Sequence, residues 1–186
     1  MRQDTIRWKL TIKAKSPLHI HGGIKETGVR GLLQRRGEYF IPATTIKGKW
    51  RSALRGIQGT ACRSGNGDGP CGCLSCRIFG ESGYYPSNII VSDCMKIEQQ
   101  GAKKEMLRSR IAIDRFRKTA IDGALVFTEV IPEGTVFEGR VELEAKDLED
   151  REIALLKAAL TELVTFIGGH ASTGLGSVSI ELEVMD

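Results

Sequence analysis

The chain has 186 residues, 41% of them apolar and 27% charged, with a formal net charge of +4. That length supports one substantial domain with its own core, and the composition is that of an ordinary soluble protein. No apolar run approaches the ~18 residues of a membrane span, and the first residues lack the apolar region of a secretion signal, so a cytoplasmic protein is expected.

The small net charge hides a gradient. Residues 1–60 carry +10, residues 61–125 carry +3 and residues 126–186 carry −9. A basic half suits phosphates, and an acidic half suits a basic face on a neighbouring copy. A solvated surface with local charge bias is the plain alternative.

Residues 6–14 alternate Ile6, Trp8, Leu10, Ile12 and Ala14 with polar residues, which predicts a half-buried strand. Residues 19–36 are Gly-rich, basic and weakly patterned, and read as a long loop. A short strand at 39–41 leads into Pro42-Ala-Thr-Thr, a helix-start signal. Ile46, Trp50, Ala53, Leu54 and Ile57 then recur at helical spacing, while Lys47, Arg51 and Arg55 line another face, with Lys49 beside them. A helix N-terminus presents free N–H groups and a partial positive charge, so hydroxyls and lysines there suggest a phosphate site.

Residues 58–86 read as irregular and Gly/Cys-rich, and residues 88–97 as a strand. Four cysteines are spaced Cys62-x8-Cys71-x-Cys73-x2-Cys76 around turn-forming residues. Four thiolates can close a tetrahedral zinc site with no open position, so such a metal is structural and could add on the order of 10 kcal/mol to local folding. Reduced free thiols and redox disulfides are the other readings, the latter disfavoured in the cytosol. Cys94 lies in a strand pattern and reads as a small buried hydrophobe.

Residues 99–119 are very basic with little apolar periodicity and predict a protruding hairpin. Within it Arg108, Arg110, Arg115, Arg117 and Lys118 interleave with Ile111, Ile113 and Phe116. An apolar side chain can wedge between bases while cations hold phosphates, although an amphipathic edge strand has the same pattern. Strands at 126–132 and 135–144 flank a Pro132-Glu133-Gly134 turn. A helix at 150–167 puts Ile153, Leu156, Leu160, Leu163, Val164 and Ile167 on one face, and a strand covers 177–185.

Between the last two lies Gly168-Gly169-His170-Ala171-Ser172-Thr173-Gly174-Leu175-Gly176. It follows a helix and precedes a strand, the reverse of a Walker loop, so no nucleoside triphosphate site is read here. Its glycines permit close backbone approach, and His170, Ser172 and Thr173 can donate to phosphates. A tight connection would need the same glycines. The histidines are His19, His21 and His170, and no Ser-His-Asp or His-Glu-x-x-His arrangement is present.

These elements predict an α+β fold: a ferredoxin-like, modified RNA-recognition-motif sheet with helices on one face and an open face free for RNA. One domain, 1–186, would carry insertions at 19–38, 58–86 (the zinc knuckle) and 99–120 (the arm).

Together these residues resemble the RAMP superfamily of CRISPR-associated proteins, and most nearly the backbone subunits of type III effector complexes. Leu18-His19-Ile20-His21-Gly22-Gly23 resembles the family's opening glycine loop. Residues 41–51, with Lys47-Gly48-Lys49 and Arg51, resemble its Ile-Pro-Gly-Ser-Ser-Leu-Lys-Gly-Lys-x-Arg helix start. Cys71 to Cys76 with Arg77-Ile78-Phe79-Gly80 resembles its zinc knuckle. Ile113-Asp114-Arg115 with the strand through Phe137 resembles its thumb, and the loop from Gly168 its glycine-rich signature.

The resemblance implies copies stacked along a CRISPR RNA with other effector subunits, each thumb kinking the guide–target duplex. RNA contacts are then expected from His19, His21, Lys47, Lys49, Arg51, Arg55, Arg115, Arg117, Lys118, Gly169, His170, Ser172 and Thr173. In that family a loop aspartate supports metal-dependent cleavage of target RNA. Residues 24–40 of this chain contain no aspartate; Glu26 and Glu38 are the acids, and Arg30-Gly31 stand near the expected position. An RNA-holding subunit is therefore the first reading. A metal-dependent target-RNA endonuclease, with Glu26 as its acid and Mg²⁺ as its ion, is an alternative. A metal-independent CRISPR RNA processing ribonuclease using the histidines is another.

Overall fold

A computed structural model of the chain describes residues 5–64, 69–98 and 106–185. In chain order the elements are β1 (Thr5–Ala14), β2 (His21–Ile24), β3 (Arg30–Leu32), β4 (Gln34–Arg35), β5 (Glu38–Ile41), α1 (Ala43–Ile57), α2 (Leu74–Phe79), β6 (Ile89–Val91) and β7 (Cys94–Lys96). There follow β8 (Met106–Arg110), β9 (Ile113–Asp114), β10 (Thr119–Ala120), β11 (Val126–Val130), β12 (Val136–Glu144), α3 (Asp150–Thr161), a 3-10 turn at Ala171–Thr173, and β13 (Val178–Val184).

The architecture is α+β. The main sheet runs β13-β1-β12-β7-β5-β4, with β6 also on β12, and its pairings are antiparallel. Strand β1 lies between β13 and β12, and its two faces differ. Trp8, Leu10, Ile12 and Ala14 are buried, and they pair in register with Val141 and Phe137 of β12 and with Ile180 and Val178 of β13. Helix α1 lays Ile46, Trp50 and Leu54 on this surface, and α3 adds Leu156, Ala159 and Leu160 to the same apolar cluster. The Trp50 indole N–H donates to the Leu160 carbonyl at 3.1 Å, satisfying the polar atom of a fully buried ring and fixing α1 to α3. Helix α3 starts with a capping box between Glu149 and Glu152, and Glu152 also pairs with Arg77 of α2 at 2.7 Å.

A second sheet, β2-β3-β11-β8, rises beside the first, and β3 meets β11 in parallel. The bridge between Leu18 and Ile131 links the two. The small hairpin of β9 and β10 extends from β8. Residues 99–105 of the expected arm and residues 65–68 of the expected knuckle lie outside the described residues.

Several elements differ from the sequence expectation. The stretch 19–36 is not one loop, because β2, β3 and β4 form within it by pairing with distant or adjacent strands. The region 58–86 contains α2, whose side chains pack on α1 and on the cysteine cluster rather than forming a stripe of their own. The strand at 88–97 is split into β6 and β7 by a break at Ser92 and Asp93. Helix α3 stops at Thr161, and Val164 and Ile167 reach the core from the extended segment that follows, whereas Leu163 is exposed. Among the described residues no helix is long and apolar enough to cross a membrane.

Candidate nucleic-acid interface and metal-holding cluster

The glycine loop is built around two close backbone approaches. Gly168 has φ +83°, and a Cβ there would lie 2.4 Å from the His19 carbonyl oxygen. Gly176 has φ +80°, and a Cβ would lie 2.1 Å from the Ile167 carbonyl oxygen. Only glycine fits either position. The loop thus folds against residues 17–19, which follow β1: the Gly169 N–H donates to the His19 carbonyl at 3.0 Å and the Gly176 N–H to the Pro17 carbonyl at 2.8 Å.

This packing gathers the three histidines. The His19 ring lies 5.7 Å from His21 and 5.8 Å from His170, centroid to centroid. His19 is 2% exposed and its Nδ1–H donates to the Glu129 carbonyl at 2.8 Å. Burial holds its pKa below 6.5, against a smaller opposing effect of that bond, so the ring is neutral at pH 7. His170 occupies a left-handed backbone conformation. Arg110 donates through Nη1 to its Nδ1 at 2.8 Å and through Nη2 to the Thr173 hydroxyl at 2.8 Å. Arg30 reaches His170 Nε2 at 3.5 Å. Burial, then Arg110, keeps the His170 pKa below its usual value. Of the other loop residues, Ser172 is exposed on the 3-10 turn and Gly169 backs onto His19.

Arg30 is absent from the residues expected to bind RNA, and Arg110 is expected only as one cation of the arm, yet both complete this cluster. No local pattern points to their meeting at His170, since β3 and β8 bring them to a residue 140 and 60 positions away. The carboxylate nearby is Glu129. Burial would raise its pKa, but the Lys25 ammonium and the Leu32 N–H outweigh that and hold it ionised below the usual range. Glu26 stands exposed in the turn between β2 and β3.

Arg110 is also the last residue of β8, at the base of the arm. At the arm's far end the Asp114 carboxylate accepts from the Phe116 and Arg117 N–H groups at 2.8 and 3.0 Å, a turn that leaves Phe116 95% exposed. Arg115, Arg117 and Lys118 are exposed around it, as are Ile111, Ile113 and Ile121.

Helix α1 presents its cations differently from the expectation. Pro42 is its N-cap, and no side chain caps it from that position. Instead the Asp93 carboxylate accepts from the Ala43 N–H at 2.8 Å and pairs with Arg35 at 2.6 Å, so an internal anion occupies this helix start. The Lys47 ammonium donates to Ser87 Oγ at 2.6 Å and to the Ile89 carbonyl at 3.2 Å, and burial, then Arg51, lowers its pKa. Arg51 donates to the Gly80 carbonyl at 2.9 Å and toward Cys76 Sγ at 3.7 Å. Lys49 and Arg55 remain exposed.

The open face of the main sheet is no basic platform. The register puts Arg7, Lys9 and Thr11 opposite Glu142, Arg140 and Glu138 on one side, and Lys9 and Thr11 opposite Glu183 and Glu181 on the other. Lys9 pairs with Glu138 at 2.6 Å and Arg7 with Glu142 at 3.6 Å. A polyanion gains little there, so the basic surface lies on the second sheet and the glycine loop.

Cys62, Cys71, Cys73 and Cys76 bring their sulfurs within 4.8 Å of one another, a set that could hold a metal ion. The tetrahedral sulfur–sulfur edge around a ~2.3 Å metal–thiolate bond is about 3.8 Å, so the donors fit. The Cys73 and Arg63 N–H groups lower the Cys71 pKa to about 7, while burial pushes the Cys73 thiol up to about 12. Thiols this close cannot all ionise unless a cation compensates them. The Arg63 N–H to Cys71 Sγ contact at 3.3 Å and the Arg51 contact above suit thiolates that share their charge with a metal. Cys94, fully buried, is apart from this set.

A sequence model of the RAMP superfamily matches residues 11–179. The CRISPR system Cms endoribonuclease Csm3 of Methanocaldococcus jannaschii is 27% identical over 186 residues, covering 90% of this chain and 75% of that protein.

Proposed function

This chain belongs to the RAMP superfamily of CRISPR-associated proteins, and from that premise we propose that it is an RNA-holding backbone subunit of a type III effector complex. The observation that carries the reading is the junction at Arg110. This one side chain roots the basic, Phe116-tipped arm and bonds to His170 and Thr173 of the glycine loop. An arm that reaches between bases and a loop that grips phosphates therefore share a base.

In this reading the guide RNA backbone runs past His21, Gly169, His170, Ser172 and Thr173. Lys49 and Arg55 add charge from α1, and Arg115, Arg117 and Lys118 hold phosphates beside an inserted Phe116. His19 sets the loop from beneath, and Lys47 and Arg51 stiffen the α1 flank and reach RNA only by exchanging their present partners. The strand order β13-β1-β12 with β6 and β7 alongside, and α1 and α3 on the core side, supports reading the chain as one RAMP-type domain with a ferredoxin-like sheet. The four cysteines hold a structural zinc that ties α2 to the end of α1; its chemistry is to gather four thiolates, with no position left for water. Copies of this chain and other effector subunits line the same guide.

The test is a guide–target duplex with 2-aminopurine placed along the target strand. Unstacking at the arm raises its fluorescence at regular intervals on binding, and Phe116→Ala removes the rise while keeping the phosphate contacts. A duplex that binds without any rise refutes the wedge.

That the similar archaeal protein is named an endoribonuclease favours a second reading, RNA cleavage by this chain, and we propose target RNA as its substrate and Mg²⁺ as its ion. Glu26, exposed in the β2–β3 turn, is the acid available to it. Cleavage by the complex that needs Mg²⁺ and is lost in Glu26→Gln would establish that reading. Cleavage of precursor repeat RNA in EDTA would instead point to the histidines.

A further inference from the structure

The cluster around His170 has a mismatch in its donors. A guanidinium only donates, so the His170 nitrogen 2.8 Å from Arg110 must be an acceptor. A neutral imidazole then carries its proton on the other nitrogen, Nε2. That N–H faces Arg30 Nη1 at 3.5 Å, donor against donor, with no bond between them. The Thr173 hydroxyl is engaged on the other side, accepting from Arg110 and donating to the His170 carbonyl at 3.0 Å. Among the described residues neither Arg30 nor Arg110 pairs with a carboxylate, and Glu129 is engaged by Lys25 and the Leu32 N–H. The point between Arg30 and His170 thus faces donors and positive charge, and among the described residues no carboxylate bonds to either arginine. A divalent cation finds no ligand there, whereas an anionic oxygen satisfies both donors.

We infer that Arg30, His170 and Arg110 form a seat for one phosphodiester group of RNA, with Arg30 and the His170 Nε2–H donating to its free oxygens and Arg110 holding the ring in the tautomer that makes this possible. The seat rests on the RNA-holding reading and adds to it two arginines and a fixed proton. It also couples three distant segments, because β3, the base of the arm and the glycine loop close on the same group.

The test measures binding of a uridine homopolymer RNA to the full chain across a KCl series. Arg30→Gln weakens binding and flattens the salt dependence by about 0.7 in log–log slope, the value for one phosphate contact on single-stranded nucleic acid. Arg30→Lys keeps the slope. His170→Ala weakens binding several-fold with the slope unchanged, because a neutral ring contributes a hydrogen bond and no charge. Arg7→Gln, on the acidic sheet face, changes neither quantity. Nitrogen-15 shifts of the free protein report the proton of His170 on Nε2. The inference is overturned if the wild type binds and Arg30→Gln keeps its slope, if Arg7→Gln falls equally, or if the proton resides on Nδ1. A wild type with no salt-dependent RNA binding overturns the RNA-holding reading and the seat together.

Discussion

Replacing Gly168 with alanine should damage this protein far more than the same change at Gly174. Both residues have φ +83°, so alanine pays the left-handed strain of about 1–2 kcal/mol at either one. At Gly174 nothing lies within 4 Å of the new methyl, and stiffening of the unfolded chain returns about 0.4–1 kcal/mol. At Gly168 the methyl meets the His19 carbonyl oxygen at 2.4 Å and Ile20 Cδ1 at 3.1 Å. Backbone must then move by about 1 Å to reach ordinary contact. That overpacking costs about 1–3 kcal/mol, and losing the Gly169-to-His19 hydrogen bond costs about 1 kcal/mol more. Less the same unfolded-chain return, the expected loss for Gly168→Ala is about 2–6 kcal/mol, a large share of the ~5–15 kcal/mol of a typical domain. Urea unfolding followed by Trp fluorescence measures it. RNA affinity should fall too, since His19 and His170 flank the displaced peptide. Equal losses for the two variants, within about 0.5 kcal/mol, would refute the close-approach argument.

Cys76→Ser should abolish metal binding, measured as zinc content by mass spectrometry, and unfold the segment around α2; a metal-free variant with wild-type stability would contradict a structural zinc. Arg51→Met, which removes the contacts to Gly80 and Cys76, should speed zinc loss to a chelator while leaving the salt dependence of RNA binding unchanged. The native pKa values of His19 and His170 lie below 6.5, chiefly through burial. Below pH ~6.5 the unfolded chain therefore binds protons that the native state refuses, and stability should fall as pH drops through that window. Thermal unfolding from pH 7 to pH 5 measures this, and His19→Gln should flatten the dependence.

The periodic elements were legible in the residues themselves. Alternation in β1, and the i, i+4, i+8 series of Ile46, Trp50 and Leu54 in α1, each record a surface facing one core. The cysteine spacing likewise announced its cluster, because Cys71, Cys73 and Cys76 are neighbours in the chain. What stayed hidden was decided by long-range pairing. Strands β3 and β9 are too short to carry a pattern and exist because a partner strand reaches them. The capping of α1 comes from Asp93, 50 residues on, so the helix start reads as free until the fold is known. Lys47 and Arg51 read as surface cations because nothing local tells that α2 and β6 cover their flank of α1. Arg30 looks like a scattered basic residue, and Arg110 like one cation of the arm among several, until the glycine loop puts His170 between them.

Sequencing the RNA that co-purifies with the chain, expressed beside its native partner subunits, tests the central claim most directly. An RNA-holding CRISPR subunit predicts short RNAs that share one repeat-derived end and differ beyond it. Fragments of unrelated cellular RNA with no shared end, or no RNA at all, would contradict it.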